Sequence, residues 1–206
     1  MSRIKPLTAD ELPEDLREAL AFAETTMGFT PNDVLTMAHW PELVQAMQHL
    51  VAVIYRPGTL DPLLKRLIAT VTSGAAGCRY CQAHTAHGAA KMLSGDDAET
   101  RKNAQKVAAV WEFQSSALFT EAERATLSLA LAAGMQPNTA TDEHFHELER
   151  HFSRQQILEI MGVIALFGFL NRWNDTLATE LESKPLDFAS ATYSSDVWEP
   201  GRHKPR

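Results

Sequence analysis

Apolar residues recur at every third or fourth position along most of the chain, and this spacing places them on one face of an α-helix. No segment alternates apolar and polar residues over any length, and runs of β-branched residues are short. Helix start and stop signals recur at regular intervals between the apolar segments. The pattern therefore predicts an all-α protein, with one compact helical domain over residues 1–182 and a C-terminal tail over residues 183–206.

Turn and capping residues set the expected helix boundaries. Thr120 with Glu123, and Ser153 with Gln156, match capping boxes, in which each side chain satisfies a free backbone N–H group of the other residue. The stretch 157–170 is apolar nearly all round, so we expect its helix at the centre of the fold. The expected helices cover about residues 13–28, 32–39, 41–55, 61–74, 78–92, 97–113, 120–134 and 154–182, with a further helix starting at Thr141.

Two further regions bear on the domain organisation. Residues 61–74 and residues 120–134 follow the same pattern. In each, a capping residue is followed by a charged first turn, an apolar helix and small residues at the helix end. Shared helix-forming rules explain this similarity as well as an internal duplication does, so a domain built from two similar helical halves stays open. The tail from Ser183 is rich in Pro, Ser, Lys and Arg and has few apolar residues. We expect it to be mobile or to pack on a neighbouring subunit.

Composition excludes several classes of function. At 206 residues and 45% hydrophobic content, the chain can bury a full core. Its formal net charge of −7 argues against nucleic acid as a partner, because phosphate binding needs a concentrated Lys and Arg surface. The N-terminus lacks the apolar segment of a secretory signal, and the most apolar run, Met161–Leu170, is about half a membrane span. We therefore expect a soluble cytoplasmic protein with no membrane contact.

Both cysteines of the chain, Cys78 and Cys81, lie three residues apart, and His84 follows three residues later. A disulfide across so short a loop adds little stability, which favours a redox role in a reducing compartment. The pair heads a predicted helix, whose macrodipole favours a thiolate, and His84 lies one turn beyond Cys81. We predict a lowered thiol pKa, with Cys81 as the attacking thiol, Cys78 as its resolving partner and His84 as proton acceptor and donor.

Other interpretations of this segment remain open at this point. Cys78, Cys81, His84 and His87 are spaced as zinc ligands could be, but nine residues of helix advance about 13.5 Å, too far for one tetrahedral ion. We therefore expect no metal and no bound cofactor, and we expect His87 on a polar face. Two buried, unreactive cysteines are a further alternative. The polar run Asn171–Asn174 interrupts an apolar helix, which favours internal hydrogen bonding over catalysis.

Three segments resemble the alkylhydroperoxidase D-like superfamily, which includes the carboxymuconolactone decarboxylases. Residues 73–92 contain the redox motif, residues 28–32 resemble the lead-in of the peroxidase-related branch, and residues 121–181 resemble its C-terminal half. The resemblance implies an all-helical homo-oligomer that reduces a peroxide substrate with its thiols. In that scheme Cys81 becomes a sulfenic acid, Cys78 condenses with it, and an external dithiol reductant opens the disulfide.

The chain departs from the family pattern at two positions. The family histidine commonly lies four residues after the second cysteine, where this chain has Thr85, whereas His84 lies at three. Both positions share a helix face, so the role of the histidine is kept. A glutamate that completes the proton relay commonly lies twelve residues before the first cysteine, where this chain has Arg66. We therefore expect no glutamate relay, and we expect Arg66 to face solvent or a subunit contact.

These observations predict a thiol-dependent peroxidase or disulfide oxidoreductase with an antioxidant role. An enzyme of the decarboxylase type, acting on a small lactone or acid with incidental cysteines, is the first alternative. An acidic residue or histidine in a closed pocket would favour it. A non-enzymatic redox sensor, in which the disulfide changes the assembly, is the second alternative.

Overall fold

The computed structural model describes residues 2–93 and 95–205, and for residues 18, 19, 22, 23 and 26 it describes the backbone alone. Three residues lie outside the described ranges. They are Met1 at the start of the predicted domain, Ser94 shortly after the redox motif and Arg206 at the end of the predicted tail. Within the described ranges the chain forms ten α-helices and two short 3-10 turns, and no strand. The all-α prediction is confirmed.

The helices follow one another with short connections. Their bounds are α1 (Glu14–Met27), α2 (Asn32–Met37), α3 (Pro41–Tyr55), α4 (Pro62–Ala75), α5 (Arg79–Lys91), α6 (Ala98–Ala108), α7 (Glu121–Gly134), α8 (Asp142–Glu149), α9 (Arg154–Leu177) and α10 (Ser183–Thr192). The 3-10 turns cover Val110–Glu112 and Gly201–His203.

Most helix ends lie where local signals predicted them. Thr120 and Ser153 each form the reciprocal capping box with the residue three positions on. Two ends differ from the prediction. The helix expected to reach about residue 113 ends at Ala108. The helix expected to reach Glu182 ends at Leu177, because Ala178 turns the chain with φ 51° in the left-handed region.

The main core is formed where α4, α5, α7 and α9 pack together. Nearly the whole of α4 is buried, with Ile68 and Val71 fully inaccessible to solvent. α9 contacts α3, α4, α5, α7 and α8, but only its inner face is buried, so the expectation of a central helix holds in part. A smaller apolar cluster joins α1, α2 and α3 around Leu16, Met37 and Val44. The redox motif therefore lies on α5, between the main core and this cluster.

The outer face of α9 stays exposed. Leu158 and Phe169 are among the exposed large apolar side chains of the described residues. Among those residues, α9 alone is long and apolar enough to cross a membrane when only length and composition are considered. Its inner face packs against α4 and α5, where it supplies one wall of the candidate site.

The C-terminal tail differs from its prediction. Residues 183–192 form α10, which packs against α5, and the residues after it lie over the same helix. Trp198 and His203 are both almost fully buried against the chain's own core. The segment from Ser183 is therefore part of the fold of its own chain, because its few apolar side chains pack against α5.

Candidate active site

The cysteine pair lies at the start of α5, as predicted. Gly77, with φ 74°, makes the turn from α4, Cys78 caps the helix and Cys81 sits in its first turn. Both are free thiols, 0% and 2% exposed, and their side chains lie within hydrogen-bonding reach of each other. The two sulfur atoms are therefore placed to form a disulfide with little rearrangement of the backbone.

Cys81 lines a cavity of about 440 Å³ beneath α5. Side chains of α2, α3, α4, α5 and α9 form its wall, and most of this wall is apolar. The polar groups on the wall include Asp33, Tyr55, Arg66 and His84. Cys78 lies behind Cys81 and is not part of the wall. A substrate in the cavity would therefore meet Cys81 first, with Cys78 as the second thiol.

A larger groove, of about 920 Å³, runs between α3 and α9 on another side of the molecule. Its wall is mainly apolar, and it contains the ion pair between Lys65 and Glu159, whose atoms are 2.9 Å apart. The cysteines and His84 lie outside this groove. The smaller cavity is thus the better candidate for chemistry, since it alone of the two presents a thiol.

Asn174 connects Cys81 to an acidic side chain. Its Nδ2 donates to the Cys81 sulfur at 3.4 Å and to Asp33 Oδ2 at 3.1 Å. Burial raises the pKa of Cys81 well above its usual value, and Cys78 and the Asp33 charge raise it further, while the Asn174 hydrogen bond lowers it. The expected low thiol pKa is therefore wrong for the resting site, because burial outweighs the favourable position in the helix.

His84 pairs with a carboxylate that sequence reasoning missed. Its Nε2 lies 2.5 Å from Glu182 Oε2, and its ring stacks on Tyr80 at a centroid distance of 4.2 Å. The Tyr80 hydroxyl and the Asn32 backbone N–H both donate to the other oxygen of Glu182. Burial alone would lower the pKa of His84, but the Glu182 and Asp33 carboxylates raise it above its ordinary value. The carboxylate of Glu182 thus favours the charged form of His84.

The path of the chain after α9 explains how Glu182 reaches His84. The left-handed Ala178 ends the helix, and the following residues are held in place by the tail. The Leu181 N–H donates to the His203 carbonyl at 2.9 Å, and His203 Nδ1 lies 2.7 Å from the Thr179 carbonyl oxygen. Had the helix continued to Glu182, as predicted, this carboxylate would have pointed along α9. No local signal in the sequence marks this turn.

The comparisons with known proteins agree with this fold. Residues 41–132 match the model of the Carboxymuconolactone decarboxylase family. The crystal structure of the debrominase Bmp8, as a Cys-to-Ala variant in complex with 2,3,4-tribromopyrrole, is 35% identical to this chain. It superposes with a TM-score of 0.83 over 92% of this chain and 97% of that one. The chain belongs to the Carboxymuconolactone decarboxylase family.

Two more distant relatives extend the comparison. The protein YnjA of Escherichia coli (strain K12) is 25% identical over 151 residues, covering 71% of this chain and 79% of its own length. A peroxidase-related protein from Ralstonia eutropha JMP134, described as an alkylhydroperoxidase AhpD core, is 22% identical with a TM-score of 0.74 over 94% of this chain and 98% of that one. This last likeness supports the all-helical fold.

The superfamily pattern had suggested that this chain lacks a glutamate relay, and the structure corrects that expectation. Glu182, from the C-terminal part of the chain, supplies the carboxylate that position 66 does not. Arg66 itself lines the cavity rather than facing solvent. Thr85, at the usual histidine position, donates to the Cys81 carbonyl at 2.8 Å and is buried.

His87 also differs from its prediction. It lines the cavity, and its ring contacts Phe29 and Phe188 at centroid distances of 6.0 and 5.8 Å. Burial lowers the pKa of His87, and the charge of His84 adds to this effect. Within the part of the chain that the structure describes, no three His, Cys, Asp or Glu side chains are grouped as metal ligands.

Chemically, the site combines a buried thiol whose pKa is raised, a second thiol behind it and a histidine–carboxylate pair. A thiol becomes a good nucleophile as thiolate, and Asn174 is positioned to hydrogen-bond that form. Protonated His84 can give a proton to a leaving group, and Glu182 favours this charged form. Most of the wall around the Cys81 sulfur is apolar. This arrangement suits attack by Cys81 on an electrophilic atom of a small organic molecule.

Proposed function

We propose that the protein is a thiol-dependent oxidoreductase that reduces a small organic peroxide at Cys81. The observation that carries the proposal is the position of Cys81 on the wall of a 440 Å³ apolar cavity, with the Cys78 thiol within hydrogen-bonding reach behind it. A cavity of this size lies in the range of small-molecule sites and is roomier than hydrogen peroxide needs. An organic hydroperoxide is therefore the better candidate substrate.

The proposed reaction uses two thiols and one acid. The Cys81 thiol loses its proton and its sulfur attacks the terminal peroxide oxygen, so that the O–O bond breaks and Cys81 becomes a sulfenic acid. The departing alkoxide takes a proton from His84, and the proton released by the Cys81 thiol then reprotonates His84. The Cys78 thiol then displaces the sulfenic hydroxyl as water and closes the disulfide. An external dithiol supplies the two electrons that restore both thiols.

Single substitutions of the cysteines test this scheme. Cys81→Ser should abolish consumption of cumene hydroperoxide in the presence of dithiothreitol. Cys78→Ser should allow one turnover and leave a sulfenic acid on Cys81, which dimedone traps for mass spectrometry. Equal consumption by the wild type and by the double serine variant would exclude the proposal. Activity toward a lactone or acid that survives alkylation of Cys81 would favour the decarboxylase alternative, for which Asp33 and His84 in the cavity offer acid and base.

Reductive removal of a halogen is a second candidate. It is favoured by the 35% identity to the debrominase Bmp8 over almost the whole of both chains. In this chain the Cys81 sulfur would take the bromine, breaking the carbon–bromine bond, and protonated His84 would give a proton to the ring carbon. Cys78 would then displace bromide and close the same disulfide. The balance is one bromoarene and two thiols converted to arene, hydrogen bromide and disulfide.

The two candidates share every residue and differ in the electrophilic atom. Wild-type protein should be offered cumene hydroperoxide and 2,3,4-tribromopyrrole in parallel, with the same external dithiol. Loss of peroxide without bromide release supports the peroxidase, and bromide release at a higher kcat/KM supports the dehalogenase. Consumption of neither substrate, in protein whose two thiols are intact, would count against both.

A further inference from the structure

A second polar group, not used by the proposed reaction, points into the cavity near Cys81. The Tyr55 hydroxyl, at the end of α3, is buried. The Arg66 guanidinium lies close enough to donate toward its oxygen, but no group among the residues that the structure describes accepts its O–H. Burial raises the pKa of Tyr55, so it remains a donor, although the Arg66 guanidinium lowers that pKa in part. Tyr55 and Cys81 line the same cavity.

A buried hydroxyl whose O–H has no acceptor is costly. Its desolvation destabilises the folded protein unless another group accepts the hydrogen bond. Most buried polar groups of folded proteins are paired for this reason. Tyr55 lines a cavity large enough for a ligand, and an oxygen of that ligand can supply the missing acceptor.

Arg66 lies beside Tyr55 on the same wall. The centre of its guanidinium group lies 4.3 Å from the centroid of the Tyr55 ring, a cation–π contact. Gly88 of α5 leaves room for this placement, since a Cβ atom built there would lie 3.4 Å from Arg66 Nη1. The guanidinium is thus held between α3 and α5.

Arg66 has no carboxylate partner among the described residues. The ion pairs found in residues 2–93 and 95–205 do not include it, and it is half-buried. Lys91 lines the same cavity, and Asp33 is a carboxylate on its wall. Asp33 is already engaged by Asn174, and burial raises its pKa, which weakens its competition for Arg66. An arginine in this position can pair with an anion that enters the cavity.

We propose that Arg66 and Tyr55 form an anion-binding end of the cavity, so that the substrate is a small carboxylic acid with an apolar body. The carboxylate would pair with the Arg66 guanidinium and accept from the Tyr55 hydroxyl. Met37, Met47, Val51 and Phe167 would surround an aromatic or branched body. This orientation directs the reducible part of the molecule toward Cys81. The inference rests on the proposed function for the reaction, but the binding itself requires no redox step.

Equilibrium binding tests the anion site without any chemistry. Benzoate and benzamide have nearly the same shape and differ in charge, so isothermal titration of both ligands isolates the charge. Wild-type protein should bind benzoate about tenfold more tightly than benzamide. Arg66→Gln should remove this preference, Arg66→Lys should restore part of it, and Tyr55→Phe should weaken benzoate binding several-fold. Arg154→Gln, an exposed arginine on α9, is the matched control and should leave both affinities unchanged.

Several results would overturn the proposal. These are equal affinity for the two ligands, a preference that survives Arg66→Gln, and no benzoate binding at millimolar concentration. If Arg66→Gln does not fold, the preference of the wild type and the intermediate affinity of Arg66→Lys still decide the question. Cys81→Ser should keep benzoate binding while losing peroxide reduction. A failure of the redox scheme is therefore distinguishable from a failure of the anion site.

Discussion

At Cys81 two physical effects oppose each other. The start of a helix favours a thiolate by about 0.3–1 kcal/mol, whereas burial of a charge without full compensation costs more. The sequence shows the first effect, because Gly77 and the following residues mark a helix start. It does not show the second, since burial depends on α9 and on the tail, which are distant in sequence. This is why the cysteines were found and their protonation state was not.

The His84–Glu182 pair could not be predicted for the same reason. The histidine is visible beside the cysteines, but its partner lies 98 residues away and beyond a helix end with no local signal. Asp33 and Asn174, which also act on Cys81, come from α2 and α9. The sequence therefore identifies the cysteines and the histidine beside them, while the groups that set the pKa values of these side chains depend on the tertiary fold.

Replacing Glu182 by Gln tests the pair through pH. The pKa of His84 is raised above 6.5, so its contribution to stability is complete below pH 6.5 and is lost as pH rises through the folded pKa. The pKa of Glu182 is lowered below 4.5, so its contribution is complete above pH 4.5 and is lost as pH falls through the folded pKa. Glu182→Gln should therefore lower the free energy of unfolding most between pH 4.5 and pH 6.5, by about 2 kcal/mol.

Two measurements check this prediction. Chemical unfolding at several pH values gives the stability difference, and an NMR titration of the His84 ring gives its pKa, which should fall in Glu182→Gln. Glu199→Gln, at an exposed carboxylate of the tail, is the matched control. An unchanged His84 pKa in Glu182→Gln would contradict the assignment.

At the level of helices, sequence reasoning performed best where boundaries are set locally. Capping boxes at Thr120 and Ser153, the proline at the start of α3 and the glycine after α1 fixed most helix ends. It performed worst where a non-glycine residue adopts the left-handed conformation, as Ala178 does. Close contacts between helices could not be predicted from local sequence either, because they depend on which helix faces pack against each other.

Two glycines illustrate this difference and give a matched pair of substitutions. In α7, a Cβ atom at Gly134 would lie 2.7 Å from the Thr72 carbonyl oxygen and 2.8 Å from the Ala75 Cβ atom, both on α4. In α9, a Cβ atom at Gly162 would meet nothing closer than 3.7 Å. Gly134→Ala should therefore lower the free energy of unfolding by about 1–3 kcal/mol, since two helices must separate. Gly162→Ala should raise it by about 0.5–1 kcal/mol through helix propensity.

Urea denaturation of both variants checks the pair. The opposite signs are the informative result, because a general effect of alanine on the helices would give the same sign twice. If Gly134→Ala is as stable as the wild type, α4 and α7 are less tightly packed than the structure shows.

At the scale of the whole molecule, the tail completes the active site from behind. Trp198 Nε1 donates to the Arg79 carbonyl at 3.4 Å, and Arg79 Nη1 donates to the Val197 carbonyl at 3.1 Å. Arg79 follows Cys78 directly, so the tail covers the first turn of α5. In the proposed reaction an external dithiol must reach a Cys78–Cys81 disulfide, and the tail blocks one side of this pair. Opening of the tail and access through the cavity are therefore separate routes for reduction.

Trp198→Ala separates these routes. Loss of a side chain that is 3% exposed should cost about 3–5 kcal/mol and loosen the tail over Cys78. In protein that circular dichroism shows to be folded, alkylation of Cys78 should become faster, as should reduction of the disulfide by dithiothreitol. Val197→Ala removes a neighbouring side chain that is exposed and should change neither rate. If Trp198→Ala leaves both rates unchanged, the reductant enters through the cavity beside Cys81, and the tail serves stability alone.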